Sequence, residues 1–165
     1  MALPQGDLAL LDGDVAQRLL ESAIPARLAY TAPDNTPRVV PIWFQWTGHE
    51  IVMSSMGGAA KAAALRQRPD VALTIDAEGF PADVLLVRGR VDVTDVDGIV
   101  PEYGQAARRY LGPEGAAAFI AQIDQPSTRM HRIALRPAWV GVLDFKTRLP
   151  RVLGGIQDDS APPTD

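Results

Sequence analysis

The stretch Val84–Thr94 constrains the fold more than any other part of the chain. Leu85, Val87, Val91 and Val93 fall on one face of an extended backbone, and Arg88, Arg90, Asp92 and Thr94 lie mainly on the other. A strand that is apolar on one face and polar on the other belongs to an antiparallel sheet with one wet side. The same period of two recurs through Arg38–Trp46, with Val40, Ile42, Phe44 and Trp46 on one face and Val39, Pro41, Trp43 and Gln45 on the other. It recurs again in Val71, Leu73 and Ile75, and in Met130–Leu143, where Ile133, Leu135, Trp139 and Leu143 share a face. Pro137 inside that last run marks either an edge strand or a bulge. Arg27–Thr31 and Ile51–Ser54 read as short strands. The turn chemistry of Pro33–Pro37 and Thr47–Glu50 joins strands into hairpins.

Helical spacing appears in three places. Asp12 or Asp14 is placed to cap a first helix running to Ser22, with Val15, Leu19 and Ala23 on one side and Pro25 beyond its end. A short helix over residues 59–67 is stopped by Pro69, with Arg66 and Arg68 near its C-terminus. Residues 101–124 carry two stripes, Tyr103, Ala106, Ala107 and Tyr110, then Phe119, Ile120 and Ile123, separated by a break at Gly112-Pro113. About six hairpin-linked strands with short helices favour a mainly β, α+β architecture, a small antiparallel barrel whose ends the helices cover. The apolar share of 47% supplies a core for a single domain over residues 1–153. The polar, proline-bearing residues 154–165 read as a disordered tail.

Charge and residue usage exclude several functions. A net charge of −4 and a pI of 5.1 give nucleic acid no basic surface. The absence of cysteine excludes thiolate nucleophiles and thiolate metal sites. No basic region precedes an apolar run at the N-terminus, and no apolar run is of membrane-spanning length, so a cytoplasmic location is expected. His49 falls in a hairpin turn and His131 opens a strand. Neither has a partner at metal-ligand spacing, and both read as surface residues. Ser54 and Ser55 lack a G-x-S-x-G context, and no carboxylate pair suggests hydrolytic chemistry. If the chain is an enzyme, a bound cofactor carries the reaction.

One segment offers a place for such a group. Ser54-Ser55-Met56-Gly57-Gly58-Ala59-Ala60-Lys61 reads as strand, glycine turn and helix start with a lysine in the first turn. Unpaired N–H groups, a close-approaching backbone and an ammonium make a pocket for a phosphate. The same residues also suit a plain strand-to-helix turn with a solvated lysine.

Pro37-Arg38-Val39-Val40-Pro41-Ile42-Trp43-Phe44, Ser54-Ser55, Lys61–Leu65 and Arg68-Pro69-Asp70-Val71-Ala72-Leu73-Thr74-Ile75-Asp76 together resemble the pyridoxamine 5'-phosphate oxidase-like superfamily, over about Ala26–Phe145. The resemblance implies a split β-barrel that binds FMN or the deazaflavin F420. Most similar is its class of F420- or FMN-dependent oxidoreductases, which transfer a hydride between the ring and a small planar apolar substrate. It also admits haem binding, and thus a ligand-sequestering role without turnover. It implies that Lys61, Ser54 and Ser55 approach the cofactor phosphate and that the backbone of Pro41, Ile42 and Trp43 lines the ring. It implies a homodimer with a shared pocket, to which Trp139 and Arg148 of the second copy are candidate contributors. Arg148-Leu149-Pro150 is similar to the C-terminal signature of the oxidases proper, but their other substrate residues are not evident. Where many members have an arginine before the lysine, Ala59 and Ala60 stand; where many have an asparagine before the leucine, Ala64 stands. Arg38, Arg66 and Arg148 are the expected replacements for the missing charge, and Tyr30 is the nearest suggestion of a proton donor.

Overall fold

A computed structural model describes residues 2–156 of the chain. Seven strands and three α-helices follow one another as α1 (Asp14–Glu21), β1 (Ala26–Thr31), β2 (Pro37–Ile42), β3 (Phe44–Trp46), β4 (Ile51–Met56), α2 (Ala60–Gln67), β5 (Asp70–Asp76), β6 (Val84–Asp97), α3 (Pro101–Ile123) and β7 (Arg129–Leu143). All strand pairs are antiparallel, in the order β2-β1-β5-β6-β7-β4-β3. The fold is therefore mainly antiparallel sheet with helices attached, as the alternation predicts, but with seven strands rather than six.

The seventh strand comes from the run Arg38–Trp46. Its first part pairs with β1, its last part with β4, and Trp43 is the single residue between them. β2 and β3 are the two outer strands of the sheet, so one continuous peptide joins both edges and curls the sheet into a split barrel. Alternation survives the split. Ile42 and Phe44 are buried, Val40 and Trp46 pack against the same core, and Val39 and Pro41 stay on the outer surface.

The barrel interior collects Leu28, Phe44, Ile51, Met53, Leu73, Ile75, Leu85, Ile133 and Leu135, each 2% exposed or less. In β6 the apolar face is the expected one. In β7 the face changes hand. The pairing steps from Gly89↔Pro137 to Arg88↔Trp139, leaving Ala138 as an extra residue. Of the two readings of Pro137, the bulge is correct, within a central strand. Beyond the bulge Val140 and Val142 point inward, so Trp139 and Leu143 lie on the opposite face from Ile133 and Leu135, contrary to the period-two expectation. Only glycine fits opposite the bulge, because a Cβ on Gly89 would sit 2.0 Å from the Arg136 carbonyl oxygen. β4 leaves β7 at Leu135, and the N-terminal segment pairs further along. Gly6 donates to Val140 at 2.7 Å, and the Gln5 amide bridges both backbone groups of Val142.

Helix α1 begins one residue later than Asp12 would cap. Gly13 is its N-cap, no side chain caps it, and Asp14 is its first helical residue. In α3 the break falls where Gly112-Pro113 predicts it, with Gly112 at φ +73° between two helical halves. The halves fold over the outer face of β3, β4 and β7, burying Val52 and Ala134 to 2% exposure each. Of the tail, Gly154–Ile156 form a turn closed by a bridge from Ile156 to Arg148; the rest of the expected disorder lies outside the described residues.

Candidate functional site

The strand β4 carries Ser54 and Ser55 on opposite faces, because strand side chains alternate. Ser55 continues the inward row of Ile51 and Met53, at the end of the barrel; Ser54 points outward beneath α3. Both are buried, at 7% and 8% exposure. The Ser55 Oγ is sealed from solvent and has no hydrogen-bond partner among the described residues. A buried hydroxyl without a partner is costly, so it marks a place where an acceptor is missing.

After Met56 the chain turns through Gly57 and Gly58. Gly57 donates to the Arg129 carbonyl at 2.7 Å, and a Cβ there would meet that oxygen at 3.0 Å, so the turn lies flat on β7. Gly58 has φ +81°, a conformation that costs other residues steric strain. Helix α2 then crosses the barrel end. Its Leu65 is fully buried in the core, and Lys61 sits one turn earlier on the same side of the helix. That position leaves Lys61 half-buried, and burial pushes its ammonium below the ordinary 10.5. No hydrogen bond or ion pair satisfies it among the described residues. Ser55 thus ends the inward row of β4 just before the glycine turn, and Lys61 follows that turn on the first turn of α2; Ser54 faces the other way.

Pro41, Ile42 and Trp43 lie where β2 passes into β3. Pro41 is exposed, Ile42 is core, and the Trp43 indole is stacked on Tyr110 of α3 at 4.9 Å, with Tyr103 and Phe119 around it. The Tyr110 hydroxyl donates to Ile24 at 3.1 Å. The Trp43 side chain is thus held by α3. Trp139 lies on the outer face of β7 under the Arg88 guanidinium, 4.1 Å from its carbon to the ring centroid. Arg148 lies past the far end of the β6–β7 ribbon, roughly 35 Å from Asp95 along the strand at about 3.3 Å per residue. One of its guanidinium nitrogens is buried and unpartnered. Within one chain neither Trp139 nor Arg148 reaches the Lys61 end.

Several charged residues escape sequence reading because their partners are distant in the chain. Arg66 of α2 donates to Asp95 of β6 at 2.5 Å, and His131 of β7 contacts the same carboxylate oxygen through Nδ1 at 2.6 Å. The Arg66 contact first, then that of His131, holds Asp95 below the ordinary carboxylate value. With a side chain only 13% exposed, His131 is not the surface residue its sequence position suggests. The one available signal was parity, since His131 falls in phase with Ile133 and Leu135. On the outer face, Glu50 accepts from Arg136 at 2.9 Å and Arg132 at 3.4 Å, and Arg132 also donates to Glu102 of α3 at 2.7 Å.

The architecture defines a class, the split β-barrel. A family model for pyridoxamine 5'-phosphate oxidase matches residues 13–143, and the chain belongs to that family. Among solved structures, an F420 reductase is 27% identical, with a TM-score of 0.59, over 76% of this chain and 94% of its own. A Clostridium acetobutylicum protein of the pyridoxinephosphate oxidase family, related to general stress protein 26 of B. subtilis, is 12% identical with a TM-score of 0.57, over 83% and 89%. A haem-binding protein from Mycobacterium smegmatis is 17% identical with a TM-score of 0.54, over 84% and 57%. The last two likenesses are of fold alone. No curated protein matches the chain. No helix among the described residues is long and apolar enough to cross a membrane.

Proposed function

We propose that this protein is an oxidoreductase that binds F420, or FMN in its place, at the end of the barrel closed by α2. The observation that carries the reading is the cradle itself. It combines an unpaired, half-buried ammonium on Lys61, a sealed and unpartnered hydroxyl on Ser55, and a flat glycine turn between them. These groups fit a phosphate, which would accept from both side chains and offset the burial of the lysine's ammonium. Resemblance to the F420 reductase favours the deazaflavin over FMN.

Bound there, a flavin or deazaflavin supplies the hydride, given to or taken from a small planar apolar substrate. The chain's own residues bind and orient. Lys61 anchors charge, Ser55 donates, and the Pro41–Trp43 backbone offers a wall for the ring, kept rigid by the Trp43–Tyr110 stack. Excluding water strengthens each of these contacts. A homodimer completes the reading. The outer face of β2, β1, β5 and β6 exposes Val39 at 64% beside a groove of about 610 Å³ lined by Ala29, Ala72, Arg88 and Ala138. A second copy seated on that face would carry its own Trp139 and Arg148 toward the cradle.

Fluorescence titration with F420 and FMN tests the proposal. Saturable binding, with F420 tighter and Lys61→Ala weakening it roughly tenfold or more, is expected for one lost charge-assisted contact. Binding of neither would overturn it. Binding with no hydride transfer to any planar acceptor would replace it with a sequestering role.

A further inference from the structure

The family pattern places an arginine before the lysine, and this chain has Ala59 and Ala60 there. The arginines expected to replace it do not do so directly. Arg38 is tied to Asp34 and Thr36 in the β1–β2 hairpin, Arg66 to Asp95, and Arg148 lies at the far end of the ribbon. What Arg66 does hold is the carboxylate that holds His131. Asp95, His131 and Ser55 form a row across three neighbouring strands, since His131 is the register partner of both Asp95 and Ser55. Directly opposed residues share a face and have Cβ atoms about 4.5–5.5 Å apart. The row therefore runs from the arginine-anchored carboxylate, through the imidazole, to the unpartnered Ser55 hydroxyl. His131 also lines a cavity of about 790 Å³ with Gly57, Gly58 and Thr128, beside the glycine turn. Its Nδ1–H is taken by Asp95, and Nε2 has no hydrogen bond among the described residues.

We infer that His131 is a further ligand of the phosphate-bearing end of the cofactor, donating from Nε2, and that Asp95 is the positioning residue that aims the ring. This rests on the reading above, because it assumes the cradle is a phosphate site. With Nδ1–H given to Asp95, Nε2 can donate only when the imidazole is doubly protonated; the neutral ring turns a lone pair toward the anion. Binding therefore tightens as pH falls. The charged groups around the ring are Asp95 from β6, Arg66 from α2 through that carboxylate, and Arg129 at the start of β7, itself paired with Asp97 at 2.7 Å. Ser55 from β4 and Gln125, Ser127 and Thr128 from the α3–β7 loop do not titrate.

The full-length protein is titrated with F420 and FMN at about pH 5.5 and about pH 8, which bracket the charge change of an imidazole. The parent is expected to bind F420 roughly tenfold more tightly at the lower pH, the scale of one charge-assisted hydrogen bond. The deciding comparison is between the parent and His131→Gln with the same probe, because ionisation of the ligand itself, such as that of the FMN monoester near about pH 6, is common to both. His131→Gln should abolish the gradient, Asp95→Asn should reduce it, and Lys61→Ala should weaken binding at both pH values while leaving it. Proton NMR of the unmodified protein gives a readout that needs no variant. Saturating F420 should shift the His131 ring signals and leave those of His49, 76% exposed at a hairpin turn, in place. A gradient that survives His131→Gln, or a His131 signal that F420 does not move, overturns this inference and leaves the proposed function standing. A parent protein that binds neither cofactor overturns both.

Discussion

The β4–β7 pair has two faces that treat polar groups in opposite ways. On the outer face, under α3, Glu50, Arg132, Glu102 and Arg136 close into a chain of ion pairs. Nearby, Arg109 donates to the Phe44 carbonyl and to Gln45 Oε1, while its buried Nε has no partner among the described residues. On the inner face, at the barrel end, Ser55 is unpartnered, Lys61 is unpaired, and His131 is bonded through one nitrogen only. The same two strands, one residue out of phase, carry a network of ion pairs on one face and a row of unpartnered polar groups on the other. Burial of polar groups without partners is unfavourable, and the proposed cofactor phosphate would supply the partner that Ser55 and Lys61 lack. Satisfied charge reads as structure, and unsatisfied charge reads as a site.

That contrast can be broken by substitutions on each face. The largest effect belongs outside. Trp43→Ala removes the ring stacked on Tyr110 and should lower stability by roughly 3 kcal/mol, the usual cost of a large aromatic truncation, measured by urea unfolding. If α3 were only loosely laid on the sheet, the loss would be far smaller. Next comes Glu50→Gln, expected to cost roughly 2 kcal/mol because two arginines lose their shared carboxylate. The Arg136 hydrogen bond is the main cause holding Glu50 below its ordinary 4.5 in the fold. The stability it contributes is complete above that value and is lost as pH falls through the lower folded value. Glu50→Gln should therefore flatten the acid limb of a stability-versus-pH curve, and an unchanged acid limb would refute this role.

The inner face predicts smaller and differently signed effects. Gly57→Ala drives a methyl against Arg129 and should cost roughly 1–2 kcal/mol, with a greater proportional loss of cofactor affinity because the turn lifts off β7. Equal losses in both would make the turn structural only. Lys61→Met should leave the ligand-free protein as stable or slightly more so, by less than about 1 kcal/mol given its partial exposure, while weakening cofactor binding. Because burial lowers its folded pKa, Lys61 penalises the fold while charged, and the penalty fades as pH rises toward 10.5. A clear loss of ligand-free stability in Lys61→Met would show that the ammonium already has a partner.

Much of the fold was legible in local pattern. The one-sided strand Val84–Thr94, the Gly112-Pro113 break and the glycine turn before Lys61 all report backbone preference and burial within a few residues, and all stand in the structure. Local pattern fails where a distant strand intervenes. Trp139 and Leu143 changed faces because an extra residue at Ala138 shifts β7 against β6, and only pairing reveals it. The Arg38–Trp46 run reads as one strand because alternation continues through Trp43, although its hydrogen bonds change partner there.

By itself, then, the sequence determined an antiparallel barrel, its inward residues on most strands, and a lysine at the head of a helix after a glycine turn. These follow from side-chain alternation and backbone sterics, which act over short spans. Tertiary structure alone decided that β2 and β3 close the barrel around Trp43, that Ser54 and Ser55 part company, and that Arg66, Asp95 and His131 meet. Those outcomes depend on strand register and helix placement, which bring together residues tens of positions apart, and no local spacing encodes them.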